Sequence, residues 1–124
     1  MVRQNRPHKK LDVWKKAMNL AASIYYQAEG FPAKEQFGLT SQIRRSAVSV
    51  PSNIAEGLAK GSPRDKIRFL LMAQGSLSEL DTQVELSGMV GYFDESAVDD
   101  ILESIEEIQR LLSGLIRTVR TQLP

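Results

Sequence analysis

No cysteine occurs among the 124 residues, which removes disulfides and thiolate metal sites from consideration. A single histidine, His8, rules out zinc clusters built from several imidazoles and the Glu-x-x-His pairs of di-iron bundles. Aromatic residues are only 6% of the chain, and base stacking would have to rely on Tyr25 and Tyr26. The apolar run "FLLMA" at 69–73 is far short of the roughly 20 residues a membrane span requires. The basic start "MVRQNRPHKK" leads into no apolar signal core, so the cytoplasm is the expected location and no membrane partner is expected. "GLAKGS" at 57–62 follows no strand and lacks the spacing of a phosphate-binding loop.

What is present is an ordinary balance for one globular domain, 42% hydrophobic and 25% charged residues. The formal net charge of +1 conceals a split. Residues 1–70 carry 13 Lys/Arg and 5 Asp/Glu, a balance of 13 − 5 = +8, and residues 71–124 carry 3 and 10, a balance of 3 − 10 = −7. Such a split fits a nucleic-acid surface on one half, or basic and acidic helices lying side by side within or between subunits. The near cancellation favours the second.

Apolar spacing predicts four helices and no strand. In the first, about 10–29, Leu11, Trp14, Met18, Ala21, Tyr25 and Ala28 recur at steps of three and four. Val13, Ala17, Leu20 and Ile24 form a second stripe beside them, giving the wide face of a helix with two neighbours. Gly30 and Pro32 mark its end. The second helix, about 34–59, runs through Leu39, Ile43, Ala47, Val50 and Ile54. Ser62, Pro63 and Asp65 are the N-cap, N1 and N3 residues of a third, about 63–90. A fourth, about 95–121, is acidic at its start and carries Arg110, Arg117 and Arg120 late, in keeping with the helix dipole. Short connections and near-heptad stripes point to an all-α, antiparallel up-down-up-down four-helix bundle over residues 9–124, preceded by a flexible basic arm at 1–8.

The stretch "RRSAVSVPSNIAEG" at 44–57 stands out. Gln42, Arg45, Ser49, Ser52 and Glu56 form a polar seam at steps of three and four, bordered by Ser46, Asn53 and Gly57. Hydroxyls and amides weaken helix interiors, whereas small residues permit close approach of another helix. Pro51 sits inside this stretch. Either the helix runs through it with a kink, or one helix ends near Val50 and another begins at the proline. The unbroken phase of Ala47, Val50 and Ile54 favours a continuous helix with the seam partly buried. Arg45 and Glu56 are about three turns apart and need other partners; Ser78, Asp81 and Glu85 on the third helix, in the same subunit or another, are candidates for Arg45.

Three segments, "LDVWKKAMNL", "FPAKEQFGLTSQIRRSAVSVPSNIAEG" and "AQGSLSELDTQVELS", resemble the four-helix-bundle family encoded in intervening sequences of bacterial 23S ribosomal RNA genes. The resemblance runs from about Leu11 to Leu115 and rests on Gln42, Arg45, Ser49, Pro51, Asn53, Ile54, Ala55, Glu56 and Gly57, with Gly75, Ser76 and Glu79. It extends to the accessory variability determinant of diversity-generating retroelements, a pentameric barrel that engages a reverse transcriptase and nucleic acid. The resemblance implies a homo-oligomer, a pentamer by that analogy, without established enzymatic activity.

Candidate sites follow from the residues. Arg3, Arg6, Lys9, Lys10, Lys15 and Lys16 could grip the phosphates of RNA or DNA, or simply form a solvated tail. Arg44 and Arg45 point about 100° apart; Arg44 is expected to be exposed and Arg45 to belong to the seam, with Gln42, Ser49, Ser52, Asn53 and Glu56 in a structural or subunit-contact role. His8 is expected to be exposed, and Trp14 to be core or subunit contact. The set Arg45, Ser49 and Glu56 has no general base, so no catalytic residue, metal or cofactor is expected.

Overall fold

The computed structural model describes residues 6–124, apart from the side chains at 9 and 10. Helix α1 spans Asp12–Ala28, α2 Leu39–Leu58, α3 Pro63–Met89 and α4 Glu95–Arg120, with no strand among the described residues. Contacts run from α1 to α2, α2 to α3, α3 to α4 and α4 back to α1. Tyr25 meets Arg44, Ser49 meets Ser76, Gln74 meets Ser113, and Lys16 meets Glu107. Those pairings run each helix opposite to its neighbours, the expected up-down-up-down bundle.

The core is aliphatic. Ile24, Ile43, Val50, Ile54, Leu70, Leu77, Leu80, Val84 and Leu112 are fully enclosed. On α1 the enclosed stripe is Val13, Ala17, Leu20 and Ile24. The neighbouring stripe is only partly enclosed: Ala21 and Ala28 are buried, whereas Met18 and Tyr25, expected in the core, remain 44% and 46% exposed. α1 packs mainly on α2 and α4, so the edge of its apolar face reaches the lip of the bundle instead of its axis.

The helix boundaries differ from expectation where the backbone finds a better local bond. α2 begins at Leu39 because Ala33–Glu35 closes a 3-10 turn and Glu35 Oε1 accepts the Leu39 N–H at 3.2 Å. α3 starts as predicted, with the Ser62 hydroxyl accepting the Asp65 N–H at 3.1 Å. Gly30 does not take a left-handed C′ conformation; among the described residues that role falls to Gly91, φ 83°, in the α3–α4 turn. There the N–H groups of Tyr92 and Phe93 both reach the Ser87 carbonyl, at 2.8 and 3.1 Å. Residues 1–5 of the expected arm lie outside the described residues, and Pro7–Lys10 is a 3-10 turn packed on α1 and α2.

α2 continues through Pro51, so the reading of two helices is overturned. Pro51 and Val50 are both buried, and the apolar line keeps its phase across the proline. At its C-terminal end α2 lies directly against α3. A Cβ on Gly57 would stand 2.9 Å from Phe69 Cβ and 3.2 Å from the Lys66 carbonyl. The Lys66 ammonium also donates to the Leu58 carbonyl, at 3.1 Å, near the end of α2.

One end of the bundle is pinned by an aromatic group. Phe31 packs on Tyr92 and Phe93 with ring centroids 5.2 and 4.9 Å apart. The Tyr92 hydroxyl donates to Glu35 Oε2 at 2.7 Å, tying the α3–α4 turn to the start of α2. That bond, with the Leu39 N–H, holds the Glu35 carboxyl below its usual range, and the same carboxylate pushes the Tyr92 phenol up.

Two outcomes follow. Gly57→Ala should cost about 1–3 kcal/mol in urea unfolding, because neither Phe69 Cβ nor a helix carbonyl can yield cheaply. A depressed carboxyl stabilises the fold above its unfolded value of about 4.3 and loses that contribution as pH falls through the lower folded value. Tyr92→Phe should therefore lower the urea midpoint at pH 7 and flatten its fall between about pH 5 and 3. An unchanged acid limb would dissociate Glu35 from the pin.

Candidate functional site: a hydroxyl seam and an apolar groove

On α2 the small polar side chains line up toward α3. Ser46 is fully buried; its hydroxyl donates to Glu79 Oε1 and lies 3.0 Å from the Gln42 carbonyl. One turn on, the Ser49 and Ser76 hydroxyls are 2.7 Å apart, and the Asn53 amide donates to both the Ser49 carbonyl and its Oγ, at 2.9 and 3.0 Å. Ser49 thus accepts from Asn53 and has its own proton to give to Ser76. A chain of satisfied hydroxyls zips α2 to α3.

The rest of the seam turns outward. Gln42, Arg45, Ser52 and Glu56 are exposed on the protomer, and Ser49 and Asn53 are half-buried. Within the protomer the expected partnership of Arg45 with Ser78, Asp81 or Glu85 does not form; it is Ser46 that meets an α3 carboxylate. The reason is rotation. Buried Ile43, Ala47 and Ile54 place Ser46, one position on from Arg45 and about 100° around the helix, against α3.

Among the described residues, the cations expected to grip phosphates do not all share one patch. Arg3 and the side chains of Lys9 and Lys10 lie outside the described residues. Arg6 and Lys15 are exposed. Lys16 reaches Glu107 on α4 at 2.8 Å; this bond raises the lysine and lowers the carboxyl from their ordinary values. Arg44, expected to be exposed, is half-buried. Its Nη2 donates to the Tyr25 carbonyl at 3.0 Å in the last turns of α1, and its guanidinium sits 5.0 Å from the Tyr25 ring centroid. Arg44 lies beside Tyr25, roughly 20 Å along α1 from the basic segment that precedes Asp12.

Between α1 and α2 runs a groove of about 440 Å³ lined by apolar side chains, chiefly Trp14, Met18 and Tyr25 on one wall and Val48, Pro51 and Ala55 on the other. Its signal was legible as the Trp14–Met18–Tyr25 stripe, which the spacing assigns to the wide apolar face of the first helix, with Trp14 as core or subunit contact. His8, expected to be exposed, is half-buried at one end, its ring 4.9 Å from Trp14 edge to face. A more polar cleft of about 370 Å³ separates α1 from α4 beside Lys16 and Glu107.

This arrangement can bury apolar surface and exchange hydrogen bonds. Among the described residues no cluster of His, Asp or Glu could hold a metal ion, and no imidazole or amine lies against the Ser49 hydroxyl. No helix of the described residues is long and apolar enough to cross a membrane.

The sequence model described as "23S rRNA-intervening sequence protein" matches residues 9–114. The crystal structure of a protein of unknown function from the S23 ribosomal protein family of Bacteroides thetaiotaomicron is similar throughout, with a TM-score of 0.78. The two are 27% identical, and the match covers 84% of this chain and 97% of that one. No curated protein matches.

If the seam acts as a zipper, Ser46→Ala should cost about 0.5–1.5 kcal/mol in urea unfolding, since it deletes the buried member of the strip. Ser52→Ala, exposed one turn away from the interface, should change stability by less than about 0.5 kcal/mol. Equal effects would contradict the placement.

Proposed function

This chain belongs to the 23S rRNA-intervening sequence protein family, and from that premise we propose that it is a non-enzymatic interaction module that works as a homo-oligomer, a ring of five four-helix bundles in the cytoplasm. The observation that carries the reading is the α1–α2 groove. Trp14, Met18, Tyr25 and Val48 line a contiguous apolar groove that no third helix among the described residues covers, with His8 against Trp14 at one end and Arg44 beside the Tyr25 ring. Contiguous exposed apolar surfaces of this kind mark association sites. The exposed half of the seam, Gln42, Arg45, Ser52 and Glu56, supplies the hydrogen-bonding groups expected of an interface rim.

A second reading rests on the exposed Arg6 and Lys15 and the +8 balance of residues 1–70. In it the module is an accessory protein that binds RNA or DNA, or a reverse transcriptase working on them, through its basic N-terminal surface. It ranks below the first because Lys16 and Arg44 are committed to Glu107 and Tyr25.

Light scattering separates the readings from their failures. A mass near five times 13.9 kDa at micromolar concentration is expected, and a monomer would overturn the oligomer. For the second reading, affinity for a structured RNA should fall steeply with salt. Replacing Arg3, Arg6, Lys9 and Lys10 with glutamine should reduce the slope of log affinity against log salt by about 0.7–0.9 per lost phosphate contact. An unchanged slope would dismiss that surface.

A further inference from the structure

α3 is apolar on two sides. Its inner side supplies Leu70, Ala73, Leu77, Leu80 and Val84 to the core. On its outer side Leu71, Gly75, Ser78, Thr82, Leu86 and Met89 follow one another at steps of 4, 3, 4, 4 and 3, a second helical stripe, exposed along its whole length, with only Ser78 bordering a cleft against α4. Leu71 and Leu86 are each 45% exposed and Met89 is 83% exposed. The stripe is ready to lose water. Thr82 already gives its hydroxyl proton to the Ser78 carbonyl at 3.1 Å, so covering it leaves no unpaired donor there. Gly75 has no packing duty in the protomer: a Cβ there would find nothing within 4 Å, although glycine in a helix interior is a poor choice beside alanine. It leaves a notch in the middle of the ridge.

Resting on the oligomer reading above, we infer that the α1–α2 groove of one copy receives the outer α3 ridge of the next, in a head-to-tail contact between two different faces of the same chain. The shapes are complementary. The groove extends from Trp14 to Tyr25, about 17 Å of helix, and the ridge from Leu71 to Leu86, about 22 Å. The charges are complementary too. Exposed Lys15 and Arg45 stand on the outer lips of α1 and α2, and exposed Glu79 and Glu85 flank the ridge on either side. The surrounding segments agree: residues 1–70, which form the groove, carry +8, and residues 71–89, the part of α3 that holds the whole ridge, carry Glu79, Asp81 and Glu85 and no Lys or Arg. Joining unlike faces generates a ring or a filament, never a closed two-fold dimer. A helix laid in such a groove is a familiar mode of recognition, anchored by apolar side chains one turn apart.

The test is a mixing experiment. Met18→Lys disables the groove and leaves the ridge intact; Leu86→Lys does the reverse. Both positions are exposed, so helicity by circular dichroism should be unchanged. Should Met18→Lys misfold, Val48→Lys serves in its place. Each variant alone should lose association by about 100-fold or more, as expected for a charge placed at an apolar anchor. Mixed in equal amounts, the two should recover a single contact and run as a 1:1 heterodimer in light scattering. Gly75→Ala should raise the melting temperature of the protomer and weaken its association. If the unmutated chain is monomeric, the oligomer reading itself fails. If it assembles but Met18→Lys and Leu86→Lys assemble equally well, the oligomer stands and these surfaces are wrong. If both variants are monomeric and their mixture stays monomeric, the head-to-tail pairing is overturned.

Discussion

The close approach of α2 to α3 is the constraint on which the rest of the molecule depends. At Gly57 there is no room for even a methyl group, and farther along the contact the fully buried Ser46 and half-buried Ser49 face α3. Small residues bring two backbones together, but they bury little apolar area. Hydroxyls and the Asn53 amide compensate by satisfying one another and the Ser76 and Glu79 side chains. Serine is an indifferent helix former, so its repeated use here exchanges local propensity for interhelical register. Pro51 is tolerated for a related reason. It is buried within a helix held on both sides, by α1 and by α3, and tertiary packing outweighs the lost backbone bond.

Turning the small polar edge of α2 toward α3 orients its remaining faces. Pro51 and Val48 rotate toward α1, and the apolar edge of α1 rises with them to the surface. The groove is therefore a consequence of how α2 is seated, and so is the exposure of Arg45 and Glu56. Where a bundle needs its second helix close to its third, the lip between the first and second stays open for another partner.

The distribution of charge carries a similar lesson. A run of cations in sequence reads as an electrostatic surface, yet the fold divides it. Arg44 steadies the carbonyl end of α1, and Lys16 bridges to α4. Neighbouring residues on a helix point about 100° apart, so Lys15 and Lys16, or Arg44 and Arg45, cannot serve one partner together. What remains outward is enough to bias an encounter between basic and acidic faces.

Much of this protein follows from its sequence alone: four helices, their order, the Ser62 cap, the absence of thiolate chemistry and the hydroxyl-rich edge of α2 at 42–56. Those features are local, set by periodicity, capping residues and composition. Tertiary structure decided the rest. It decided how far each of two adjacent stripes on α1 enters the core, gave Ser46 instead of Arg45 to the α3 carboxylate, and set the exposed stripe of α3 opposite its core face. Each of these choices is a rotation of a helix about its own axis by roughly one residue. A wide apolar face tolerates that rotation, so only the neighbours packed against it could select the angle.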